Sequence, residues 1–74
     1  MRTEKDQETF TQAQNIIEAS GHDVDEVIAY LDRLRDSGSI NMYGSGDHLQ
    51  RRFGFSRYDV KYVVIDYVSH GLRE

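Results

Sequence analysis

Apolar residues recur along this chain at intervals of three and four, and glycines punctuate the runs. Phe10, Ala13, Ile16, Ile17 and Ala19 form the first stripe, which predicts a helix from about residue 5 to Ser20. Glu4, Asp6 and Glu8 lie near its start, where the helix dipole favours anions, and Gly21 is placed to stop it. Residues 1–5 read as flexible. The second stripe is the clearest: Val24, Val27, Ile28, Leu31 and Leu34. Asp23 suits its N-cap, and Glu26 three positions on completes a box-like signature. Arg33 and Arg35 fall in the last turn, and Gly38 follows as the stop. Ser39 to Gly46 read as a connection, with Ile40 and Met42 as anchors to the core. A short third helix is predicted over about Ser45 to Phe53, with Leu49 and Phe53 facing inward together.

The stretch from Tyr58 to Val68 is rich in valine, isoleucine and tyrosine, which favour strands. As a strand it alternates only partly, because Val63 and Ile65 share a face with Asp59 and Lys61. As a helix, Val60, Val63, Val64, Tyr67 and Val68 fall at i, i+3, i+4, i+7 and i+8, a full amphipathic stripe. Ser56 supplies an N-cap, Asp59 sits in the first turn and Gly71 marks a stop. A lone strand would also lack a pairing partner. The pattern therefore predicts an all-α fold: a single domain over residues 1–74, a small bundle of about four helices.

Composition narrows the function classes. There is no cysteine, so neither a disulfide nor a thiolate metal site is available. No apolar run reaches the ~18 residues of a membrane span, and the polar, acidic start does not resemble a secretory signal. These features predict a soluble, cytoplasmic protein with no membrane partner. The net charge is −4, unevenly spread. Residues 1–39 hold four basic and nine acidic side chains, net −5; residues 40–74 hold five and four, net +1. An acidic whole disfavours non-specific nucleic-acid binding, yet Arg51, Arg52, Arg57 and Lys61 are concentrated within residues 51–61.

Leu49, Phe53, Gly54, Phe55, Ser56, Val60 and Val63 resemble the helix-turn-helix pattern over about residues 47–66. In that motif a glycine takes the left-handed turn, a hydroxyl residue caps the second helix, and apolar residues four and seven positions later lock the pair. The departure is Gln50, where alanine or glycine is usual. The resemblance implies double-stranded DNA as a partner. Arg57, Tyr58, Lys61 and Tyr62 would be exposed on a reading helix capped by Ser56, with Arg51 and Arg52, and His48 beside them, on phosphates. It also implies a homodimer, because one short motif buries little. The same pattern arises wherever two helices are joined by a capped turn, and the cations are then plain solvated surface.

Asn41, Met42, Tyr43, Gly44, Leu49, Gln50, Phe53, Gly54 and Ser56 also resemble a recurrent type of short tailed-phage protein. Its chains share an "INM-aromatic-Gly" connection, "LQ…FG-S" and a closing helix. Asp47 and His48 stand where that type often has a proline and an aromatic. The resemblance implies a small helical phage or phage-derived accessory protein.

Other chemistry is poorly represented. His22, His48 and His70 are far apart in sequence, so no metal site is expected; nor is a cofactor. No nucleophile-elbow or phosphate-loop motif occurs, so no enzymatic activity is expected. Gly44–Ser45–Gly46 could cradle an anion, but Asp47 beside it favours a plain loop. The acidic residues Glu18, Asp23, Asp25, Glu26, Asp32 and Asp36 read as a solvated face, or as a surface steering toward a basic host or phage protein. Four of the five tyrosines fall within residues 43–67, more than a small core needs, and tyrosine is favoured at interfaces. A protein-binding module without nucleic-acid contact is thus the alternative to DNA binding.

Overall fold

The computed structural model describes residues 3–38 and 44–73. The expected anchors Ile40 and Met42, and the positions Asn41, Met42 and Tyr43 of the phage-type resemblance, lie outside them. The chain is all-α. Its helices are α1 (Glu4–Ala19), α2 (Val24–Ser37), α3 (Gly46–Phe53) and α4 (Arg57–His70). No strand occurs among the described residues, so burial has overridden the strand propensity of Tyr58 to Val68.

Each helix starts and stops for local reasons. Thr3 caps α1 reciprocally: its hydroxyl accepts from the Asp6 N–H at 3.1 Å, and the Asp6 carboxylate accepts from the Thr3 N–H at 3.4 Å. Asp23 precedes α2 in extended geometry, yet its side chain makes no cap bond. The expected box with Glu26 does not form; Glu26 turns back to His22 instead, with Oε1 3.1 Å from Nδ1. Ser56 caps α4 as expected, accepting from the Asp59 N–H at 3.1 Å. Gly54 ends α3 at φ 78°, a left-handed conformation that lets the chain turn within three residues into α4.

The core is one apolar cluster. Ala13 and Ile17 of α1, Val27, Ile28 and Leu31 of α2, Leu49 and Phe53 of α3, and Val60, Val63, Val64 and Tyr67 of α4 are all buried. Phe55 joins it from the turn, and Leu72 from beyond α4. Leu72 reaches its buried place at φ 61°, a conformation in which a non-glycine residue is strained. Phe53 organises an aromatic group: His22 and Tyr30 meet its ring edge-on at 4.9 and 5.4 Å, and Phe55 stacks on it at 5.7 Å.

The helix α4 is the organising element, packing most extensively on α1 and then on α3. His70 Nε2 at its end lies 3.3 Å from the Asp6 carboxylate at the start of α1, so the two helices run antiparallel. The start of α3 comes close to α4: a methyl group on Gly46 would meet the Val60 side chain at 3.5 Å. That is ordinary van der Waals contact, so the approach does not itself require glycine at position 46; Gln50, one turn on, is half-buried.

Candidate functional site

The seven residues singled out from the sequence, Arg51, Arg52, Ser56, Arg57, Tyr58, Lys61 and Tyr62, are all exposed. They do not form one surface. Arg57, Tyr58, Lys61 and Tyr62 share the outward side of α4, where the Arg57 guanidinium lies 5.3 Å from the Tyr58 ring centre. Its Nη2 also donates to the Tyr58 hydroxyl at 3.4 Å. Arg52 is drawn the other way. It lies 5.0 Å over the Phe53 ring and lines a groove of about 230 Å³ between α2 and α3, with Glu26, Tyr30 and Arg33. The Ser56 hydroxyl is engaged in capping.

Two residues that sequence reasoning placed elsewhere, or did not place, complete the outward face of α4. Ile65 is 49 % exposed and Val68 36 %, beside Tyr58 at 65 % and Tyr62 at 37 %. Val68 was expected on the buried stripe. On a helix of 100° per residue it sits roughly 90° from the centre of the stripe that Val60, Val63, Val64 and Tyr67 define. Coverage of α4 is lopsided: Asp66, farther round on the opposite flank, is buried, whereas Val68 on the α3 flank is 36 % exposed. A signal for Ile65 was present: it follows Tyr58 by seven and Tyr62 by three, so it shares their face.

The contacts of Gly46 with Val60 and Val64 put α3 on one flank of α4. Arg57, Lys61 and Val68 occupy that flank by helical geometry. On the opposite flank Asp59 lines a groove with Asn15, Ile16 and Ala19 of α1. The outward face is thus an apolar stripe with cations on its α3 edge, concentrated toward its N-terminal end.

The acidic face is less free than its composition implied. The Asp32 carboxylate accepts from the Tyr67 hydroxyl at 2.5 Å and lies 3.7 Å from Arg35 and 4.0 Å from Arg73. It is a staple joining α2 to α4 and the C-terminal residues, which corrects the reading of Asp32 as solvated surface. Burial of Tyr67, reinforced by the bond to Asp32, pushes the phenol up to about 12. Asp6 is held below the usual carboxylate value, chiefly by the Thr3 backbone N–H and secondarily by His70. Asp66 is buried at 1 % exposure, in contrast to the other acidic residues.

Among the described residues, no group of three or more histidine, cysteine, aspartate or glutamate side chains is placed to hold a metal ion, and no helix is long and apolar enough to cross a membrane. No protein-family model, curated protein or solved structure matches this chain.

Proposed function

We propose that this chain is a protein-interaction module that docks its partner along the outward face of α4, from Tyr58 to Val68. One observation carries the reading: Tyr58, Tyr62 and Ile65 are exposed on one side of a helix whose other side is core, with Val68 exposed along the α3 edge. Covering such a stripe releases water from apolar area, and tyrosine adds a polar tip that tolerates both the free and the covered state. Interface centres are depleted in charge and enriched in aromatic residues, as this stripe is. The acidic face is a poorer docking surface at Asp32, whose carboxylate is engaged by the Tyr67 hydroxyl. The resemblance to short tailed-phage proteins points to an accessory role with a phage or host protein as the biological setting.

DNA binding is the second reading. Arg57 and Lys61 favour it, exposed on the capped helix that follows a left-handed glycine turn, as in a helix-turn-helix. The net charge of −4, the diversion of Arg52 toward α2, and Ile65 and Val68 on the face that would enter a groove all weigh against it.

A photo-crosslinking residue at position 62, with a control at position 25 on α2, tests both readings in nuclease-treated lysate. Protein adducts formed from position 62 and absent from position 25 are expected. Equal adducts at the two positions would remove the case for α4. A purified protein that binds duplex DNA at low salt and loses binding on Arg57→Ala would favour the second reading over the first.

A further inference from the structure

A groove of about 230 Å³ lies between α2 and α3. Glu26, Ala29, Tyr30 and Arg33 line it from α2, and Arg52 and Phe53 from α3. We propose that this groove binds a small carboxylate with a ring-sized apolar body. Arg33 and Arg52 hold the carboxylate, and Tyr30 and Phe53 receive the body. The site is separate from the outward face of α4 and does not rest on that reading.

Two arginines are brought to one groove with no acid to hold them. Neither Arg33 nor Arg52 forms an ion pair among the described residues. Arg35, two positions after Arg33, shows the ordinary alternative: it lies 3.7 Å from Asp32 and 3.8 Å from Asp36. Arg33 follows Glu26 by seven positions and Ala29 by four, so the three share a side of α2. The small side chain of Ala29 leaves room between the two charged ones. Arg52 is held from α3, its guanidinium 5.0 Å from the Phe53 ring centre. A ring contact draws on the charge and leaves N–H groups of the fork for an acceptor.

The apolar wall is already built. Phe53 is buried, Tyr30 meets its ring edge-on at 5.4 Å, and Phe55 stacks on it at 5.7 Å. A wall fixed by the core loses little freedom when a ligand settles on it. The groove is smaller than the ~300–1,000 Å³ of pockets for drug-sized ligands, so one ring and a short acid fill it.

Charge selects the acid. Glu26 is the one carboxylate on the lining, and its Oε1 lies 3.1 Å from His22 Nδ1. Two arginines against one glutamate leave the lining net +1, on a chain whose net charge is −4. A single carboxylate matches that local charge. A phosphate dianion exceeds it and meets the repulsion of an acidic body. The planar guanidinium fork also suits the planar carboxylate, which it can engage through two parallel bonds.

Titration of the isotope-labelled full chain with 3-phenylpropionate, followed by amide NMR shifts at constant ionic strength, tests the site. Shifts should concentrate in residues 26–33 and 52–53 and saturate with a dissociation constant of about 1 mM. The uncharged analogue 3-phenylpropanol should bind at least ~10-fold more weakly, and phenyl phosphate more weakly than the carboxylate. Arg33→Gln and Arg52→Gln should each weaken binding about 3–10-fold, while Arg57→Gln, which removes the same charge from α4, should not. Ala29→Phe keeps both arginines but fills the groove, and should weaken binding at least ~10-fold. Glycyl-phenylalanine presents the same acid on a peptide. Tighter binding than 3-phenylpropionate assigns the site to a chain terminus, weaker binding to a free acid, and either supports it.

Shifts that fail to saturate by ~20 mM would overturn the proposal. So would an alcohol that binds as well as the acid, or a loss on Arg57→Gln equal to those on Arg33→Gln and Arg52→Gln. Unchanged binding in Ala29→Phe would place the ligand elsewhere and overturn it too. Tighter binding of phenyl phosphate would overturn the choice of a carboxylate. None of these outcomes alters crosslinking from position 62, so the groove and the α4 face stand or fall separately.

Discussion

The helices α2 and α4 are both 14 residues long, and both bury one side in the same core. Their outer sides differ. Outward on α2 are Asp25, Glu26, Arg33, Arg35 and Asp36, all at ease in water. Outward on α4 are Tyr58, Tyr62, Ile65 and Val68, with Arg57 and Lys61 along one edge. The fold asks the same of both helices, an apolar inner stripe, and both supply it. Nothing in the fold asks for an apolar outer stripe. A helix that is apolar on both sides is one whose outer side is suited to being covered. The contrast separates the inner side of α4, which serves stability, from an outer apolar side that stability does not explain.

Inner faces should dominate stability. Leu31 of α2 is fully buried, so Leu31→Ala loses its transfer free energy and leaves a cavity. It should cost about 2–5 kcal/mol in urea unfolding, the largest effect predicted here. A cost below ~1 kcal/mol would mean that α2 is not the core partner its packing indicates.

The staple between the two helices should matter next, and in a pH-dependent way. The Tyr67 phenol is pushed from its ordinary 10 up to about 12, and the raised value belongs to the folded state. The stabilisation is complete below pH 10 and is lost as pH rises from 10 through 12, because the unfolded chain ionises first. The loss should amount to about 2–3 kcal/mol across that window. Tyr67→Phe should cost about 1–2 kcal/mol near neutrality and flatten the alkaline decline. An unchanged alkaline decline in that variant would assign it to another group.

Acid should act at the opposite corner of the bundle, where Asp6 meets Thr3 and His70. Its folded value is depressed, so its contribution is present above the ordinary carboxylate value of 3.8 and is lost as pH falls through the lower folded value. Asp6→Asn should shallow the acid side of a stability–pH curve and leave the alkaline side untouched. A variant with an unaltered acid side would show that the bond to Thr3 is not formed in solution.

Much of this architecture was legible in the sequence because it rests on local chemistry. Ser56 capping α4, and Gly38, Gly54 and Gly71 closing their helices in left-handed geometry, follow from residue type and position alone. The choice of helix for Tyr58 to Val68 followed from period. What could not be read was how far around each helix the core extends. That depends on which helices flank it, and it moved Val68 from inside to outside. Nor could the link between Asp32 and Tyr67 be read, since 35 positions separate them. Arg51, Arg52, Arg57 and Lys61 looked like one basic patch because they are near in sequence. Arg52 turns over Phe53 toward α2, while Arg57 and Lys61 stand on α4, and that divides them.

Substitutions on the outer sides of α2 and α4 should change stability least. Tyr62→Gln and Ile65→Gln replace exposed apolar residues with a good helix former, so unfolding free energy should shift by no more than ~0.5 kcal/mol. Arg35→Gln on the outer side of α2 should be equally mild. The three variants should part on a hydrophobic-interaction column, where retention reports exposed apolar area. Both α4 variants should elute earlier than the unaltered protein, while Arg35→Gln should not. If Tyr62→Gln instead destabilised the chain as strongly as Leu31→Ala, the outward face of α4 would belong to the core after all. If retention did not change, its stripe would not be open to a partner in solution. Mild cost together with lower retention is the combination that a surface kept for binding, rather than for folding, must give.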